Sequence, residues 1–216
     1  MYNVVLYVHV LALVYWLGGD LGTFLSSRHV LRSELGVQSR QTAFNILMEC
    51  DMGPRLAMPL ILGSGFHLSS LRWPELLPDV TALIGWLVVM VWMALVAAIH
   101  SSVGQRFPSL TQWDLRLRFA VVGGLLGIGG YAFTIGLPGW LALKITIFAT
   151  LVACGIAVRF ALKPFAIAYA SMITDGPTDE KNAAMITHMS VVRRYVWVIW
   201  IGLFVNTALG LHVITF

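Results

Sequence analysis

Residues 119–162 read FAVVGGLLGIGGYAFTIGLPGWLALKITIFATLVACGIAVRFAL, two apolar runs divided only by Gly136-Leu137-Pro138-Gly139. About 20 apolar residues at 1.5 Å per residue cross the hydrocarbon layer of a bilayer, so 119–137 and 140–162 are each long enough to span it. The Gly-Leu-Pro-Gly turn folds them back on one another as an antiparallel helical hairpin. Working outward, the same criterion finds 4–27, 55–71, 80–103 and 195–214. The second of these is short and follows Pro54, a residue suited to the first turn of a helix.

Composition agrees with that reading. Of 216 residues, 58% are hydrophobic and 11% charged, and the mean hydropathy is +0.82. A soluble domain carries about 25% charged residues, and one of this size could not hide so much apolar surface in a single core. A soluble enzyme, a disordered chain and a nucleic-acid binder are therefore set aside, although the pI is near 9.3. The cations sit in short segments between apolar runs and form no basic stripe. Cys50 and Cys154 are read as unpaired thiols, and the absence of a basic segment before Arg28 leaves no secretory signal visible. The expected fold class is all-α: one polytopic membrane helical bundle over residues 1–216, with six transmembrane helices.

Orientation follows from charge. Of the 14 Lys and Arg, all but Arg72 and Lys144 fall on one side of this topology. By the positive-inside rule, loops 28–54, 104–118 and 163–194 face the cytoplasm and both termini the periplasm, as expected for a bacterial inner membrane. Arg159 and Lys163 interrupt the fifth run late and are expected to snorkel to the interface. Thr178-Asp179-Glu180-Lys181 reads as a cap for a short helix leading into the last span. Trp73, Trp113, Trp140 and Trp197 stand near span ends, where aromatic belts form. Gly123 and Gly127 form a small-xxx-small pair, read as a close helix contact.

Ionisable residues within apolar runs are costly, and those present usually face the bundle interior and serve function. Here they are His9, Asp20, His67, His100, Lys144 and His212. The topology sets His9, His67, Lys144 and His212 toward the periplasmic face, with His29 and His100 toward the cytoplasmic one. Histidines at matched depth on different helices are what a b-type haem requires, since its iron takes axial imidazoles from facing helices. A membrane histidine also serves as a plain interhelical hydrogen-bonder. His67 has a setting that admits a flat macrocycle, Gly63-Ser64-Gly65-Phe66-His67-Leu68-Ser69-Ser70. His9 and His67 are thus expected as axial ligands, with His212 in reserve. At 100° per residue His9, Trp16, Asp20, Thr23 and Ser27 share one stripe of the first helix. Asp20, roughly 16 Å from His9 along the axis, is either a proton relay or an interhelical hydrogen-bonder. Lys144 is expected beside the haem propionates. A second haem between His29 and His100 remains open, as does a soft copper site at Met48, Cys50 and Met52.

His9 followed by Trp16-Leu17-Gly18-Gly19, together with Gly139-Trp140-Leu141-Ala142-Leu143-Lys144, resembles the HemJ-type protoporphyrinogen oxidases and the related CopD-type copper-resistance proteins. The resemblance covers the first span and the 119–162 hairpin. It implies haem b binding by His9, with Trp16 close by, and a haem-adjacent role for Lys144. The chain departs from HemJ in having six expected spans rather than four, and in the acid at Asp20. Three functions are therefore carried forward: a haem b protein moving electrons near the periplasmic face, a HemJ-like oxidase of protoporphyrinogen IX, and a CopD-like copper transporter. Whether the chain is an enzyme stays open. The bilayer is its expected environment, with a redox partner protein or a quinone as electron partner and a homo-oligomer as a further option.

Overall fold

The computed structural model describes residues 1–214. It is all-helical among them: α1 (Tyr2–Val30), α2 (Val37–Arg72), α3 (Asp79–Ile99), the short α4 (Ser102–Arg106), α5 (Leu110–Thr134), α6 (Gly139–Asp175) and α7 (Asp179–Gly210). Five of these are long and apolar enough to cross a membrane, namely α1, α3, α5, α6 and α7. This establishes a helical, multi-pass membrane architecture. α2 falls outside that group because its first half is polar and its second half carries Arg55, His67, Arg72 and three serines among its apolar residues.

α2 nevertheless runs antiparallel along the whole of α1. Arg40 Nε donates to Val30 O at 2.8 Å at one end of the pair, and His9 meets Ser64 at 2.8 Å near the other. Midway the two backbones touch. A Cβ on Gly19 would fall 2.7 Å from Cys50 O and against Pro54 Cδ. Pro54 has no N–H to offer the carbonyl four residues back, and the bare Cα of Gly19 packs on that carbonyl. Pro54 lies inside α2, which starts at Val37, and not in a first turn as expected. The helix survives it because α1 covers the disrupted turn.

α6 and α7 pair in the same way. Gly202 lies against Leu151, and Gly210 against Lys144. At 1.5 Å per residue the 37 residues of α6 extend roughly 55 Å, well beyond a hydrocarbon core of about 30 Å. The segments 28–54 and 163–194, read from the sequence as connecting loops, are thus largely helical continuations of the bundle. They close over a second core of Val30, Leu47, Phe165, Tyr169, Met172 and Met185. Phe44 and Tyr169 stack there at 4.3 Å. The Thr178 hydroxyl caps α7, accepting from Lys181 N at 3.3 Å, but the helix it starts is continuous with the last apolar run. The 80–103 run breaks at His100, where the Ser101 side chain accepts from Val103 N and opens α4.

Two further readings are corrected. Among the described residues nothing lies within 4 Å of a Cβ built on Gly123 or Gly127, so that pair makes no internal helix contact there; Gly129, against Thr146 of α6, makes it instead. Arg159 does not snorkel outward. Its Nη1 donates to Asp114 Oδ2 at 2.7 Å and its Nη2 to Thr111 O at 3.1 Å.

Candidate functional site

The interior-facing stripe of α1 borders two cavities stacked along the bundle. His9 lines the one nearer the chain termini, about 300 Å³ in volume. Trp16, Asp20, Thr23 and Ser27 line the other, about 450 Å³. The contact between Trp16 and Phe148, edge-to-face at 6.1 Å, lies between them.

In the smaller cavity α1, α2, α6 and α7 bring together His9, Lys144, His212, Arg72 and Asn206. The tautomer of His9 is set by its neighbour. Ser64 Oγ donates its only proton to Leu60 O at 2.5 Å, so it must accept from His9 Nδ1 at 2.8 Å. The Nε2 lone pair of His9 is then left free, which is the form that ligates a metal, with Nδ1–H held by an outer partner. Lys144 is seated against Gly210, where a Cβ would collide with its Nζ. Lys144 and Arg72 make no ion pair among the described residues. His212 follows the end of α7 at φ 55°, and its ring meets Trp140 edge-on at 4.9 Å. Trp140 and Trp73 pack together at 5.8 Å at the edge of this cavity, beyond any belt role.

The cavity thus holds the His9 imidazole, a second imidazole from His212, two cations without an ion pair among the described residues, and apolar walls from Leu13, Ile61 and Phe148. The expected partner of His9 does not belong to this set. His67 turns toward α3, where its Nδ1 accepts from Trp86 Nε1 at 3.2 Å. That bond occupies the Nδ1 lone pair and leaves the proton on Nε2, so His67 offers iron no free nitrogen in this arrangement. His212, the reserve, takes its place on the cavity.

The second haem pair is not assembled either. His29 is exposed and does not border the larger cavity. His100 Nδ1 donates to Val96 O at 2.8 Å, and its Nε2 accepts from Arg55 Nη1 at 3.2 Å, so both ring nitrogens are used. Cys50 packs on Gly22 of α1, Met48 faces the larger cavity and Met52 packs against the apolar core. Among the described residues no group of three or more His, Cys, Asp or Glu is placed to hold a metal ion.

Asp20 borders the larger cavity, not the cavity of His9. Its Oδ2 accepts from Trp16 Nε1 at 3.1 Å, and it has no cationic partner among the described residues. Sequence reasoning missed the rest of that cavity's charge. Asp114 is buried and accepts from both Arg118 and Arg159. Arg55 pairs with Asp51 at 2.6 Å, and Arg193 Nη2 donates to Ser27 Oγ at 2.9 Å. The signal was present in the i,i+4 spacing of Asp51 with Arg55 and of Asp114 with Arg118. No protein-family model, curated protein or solved structure matches the chain.

Proposed function

We propose that this chain is a haem b-binding integral membrane protein that carries electrons near the periplasmic face of a bacterial inner membrane. It crosses the membrane six times, α2 included, with both termini periplasmic. Support for the sixth crossing is the pairing of α2 with α1 from Val30 to His9. The orientation rests on the cations gathered at the end opposite Lys144 and Arg72.

One observation carries the haem reading. His9 keeps an unprotonated Nε2 through Ser64 and shares a cavity with the unpaired Lys144. Those are the two positions that the HemJ resemblance marks, and they come from helices over 130 residues apart in sequence. The bound haem would supply one-electron chemistry at its iron. His9 Nε2 would ligate it, Ser64 would hold the ring, and Lys144 and Arg72 would meet its carboxylates. His212, which lines the same cavity as His9, would be the second ligand. Low-temperature EPR of the oxidised protein tests this: His212→Ala should lose the bis-imidazole signal, and His67→Ala should keep it. The reverse outcome would return the role to His67.

A second reading, oxidation of protoporphyrinogen IX, uses the same residues. It is favoured only if the gene restores growth to a strain lacking its own porphyrinogen oxidase.

A further inference from the structure

The larger cavity carries more positive than negative charge, and its cations are unevenly matched. All six long helices contribute to it, with Arg55, Arg118, Arg159 and Arg193 set against Asp20, Asp51 and Asp114. Asp51 answers Arg55. Asp114 must serve two arginines, and it does so through Oδ2 alone, its Oδ1 having no partner. Arg193 has no carboxylate partner among the described residues. It rests over the Phe24 ring at 5.1 Å, and its Nε is buried with no acceptor. Thr23 Oγ1, also lining the cavity, is buried and unpartnered. Arg193 itself is half-buried, with Nη2 on Ser27 Oγ, and a buried donor left without an acceptor is costly.

The register of α6 on α7, fixed by Gly202 against Leu151, brings Arg159 and Arg193 to nearly the same level. Above them the walls are apolar: Met58, Val96, Val196 and Ile199. Arg55 and Asp51 remain about a third and a quarter exposed, at 34% and 27% of their side chains, and mark the mouth. A cation is a poor occupant, since Asp51 and Asp114 are already neutralised and Asp20 lies at the deep end beside Trp16.

We propose that this cavity binds an amphipathic organic anion, its carboxylate or phosphate head held by Arg193, Arg159 and the Thr23 hydroxyl, and its apolar body lying along Met58, Val196 and Ile199. Arginine suits such heads because its planar fork bonds two oxygens at once. The site is separated from His9 by Trp16 and Phe148 and does not depend on haem binding. Its occupant reaches it from the end where the cations gather, either as a free organic anion or as the headgroup of an anionic lipid.

Calorimetric titration of the full chain in phosphatidylcholine nanodiscs tests this, with empty discs as the baseline. Octanoate should give a saturable heat and octanol none. Arg193→Gln should weaken octanoate roughly tenfold or more, the loss of one charge-assisted hydrogen bond, while Arg193→Lys retains most of it at an unchanged melting temperature. Arg159→Gln should weaken it as well. Repeating the wild-type titration in phosphatidylglycerol discs separates the sources: octanoate excluded means the lipid headgroup fills the site, and octanoate still bound means a free anion does. Equal binding of octanol, no saturable octanoate heat, or octanoate binding untouched by both Arg193→Gln and Arg159→Gln would overturn the proposal.

Discussion

At the scale of single residues, the chemistry of the site depends on which nitrogen of each imidazole carries the proton. His9 and His67 lie near one another in the fold, yet their partners give them opposite tautomers: Ser64 accepts from His9 Nδ1, whereas Trp86 donates to His67 Nδ1. Ser64→Ala removes the group that holds His9 and should cost 10–100-fold in haem affinity, on the order seen for outer-shell partners of metal ligands. Haem titration of the purified variant measures it, and affinity equal to wild type would mean that Ser64 does not position the ligand. Lys144→Met leaves both imidazoles in place, so the spectrum should keep its axial character while the midpoint potential moves. A changed ligation type in that variant would contradict the placement of Lys144 at the propionates. His9 and Lys144 were legible in the sequence because a charge in an apolar run stands out on its own. The bond that turns His67 toward α3 was not, since Trp86 lies on another helix and the direction of a ring is set by packing.

At the scale of helices, the 119–162 hairpin was readable because Gly136-Leu137-Pro138-Gly139 is unmistakable as a turn. The length of α2 was not, because Val37–Arg72 is helical for reasons other than hydrophobic run length. Its first half is held by Arg40, fully buried, with Nε on Val30 O and Nη1 on Asn182 Oδ1 at 3.0 Å. Burial lowers the pKa of this guanidinium from its ordinary value, but the Val30 carbonyl at the C-terminus of α1 favours a cation there. Arg40→Met strands that carbonyl and Asn182, and should cost about 1–3 kcal/mol. Limited proteolysis would show it as faster cleavage within 28–54. Gly19→Leu addresses the other half of the α1–α2 contact. A side chain there meets Cys50 O and Pro54, so overpacking should cost about 1–3 kcal/mol, read as a lowered melting temperature. The neighbouring Gly18 has nothing within 4 Å of an added Cβ, so Gly18→Ala should leave the melt unchanged.

At the scale of the whole molecule, two cavities lie in series through one antiparallel bundle, with an aromatic contact between them and a helical extension beyond one end. The number of crossings and their orientation belong to the proposal, and they are open to direct test. A cysteine at Asn3 should react with an impermeant maleimide in intact spheroplasts, and one at Ser33 only after the membrane is opened. Both sites are exposed in the fold, so access depends on sidedness alone. A third cysteine at the exposed Leu211 reports the count: six crossings put it on the side of Asn3, and an odd number would put it on the opposite side.

Haem content tests the central claim most directly. Pyridine-haemochrome analysis of the purified protein should give about one haem b per chain if, as proposed, the cavity of His9, Lys144 and Arg72 binds it. His9→Ala should lose most of that haem while His67→Ala and His100→Ala keep it. Haem retained in full by His9→Ala, or a wild-type chain that purifies and reconstitutes without haem, would contradict the account.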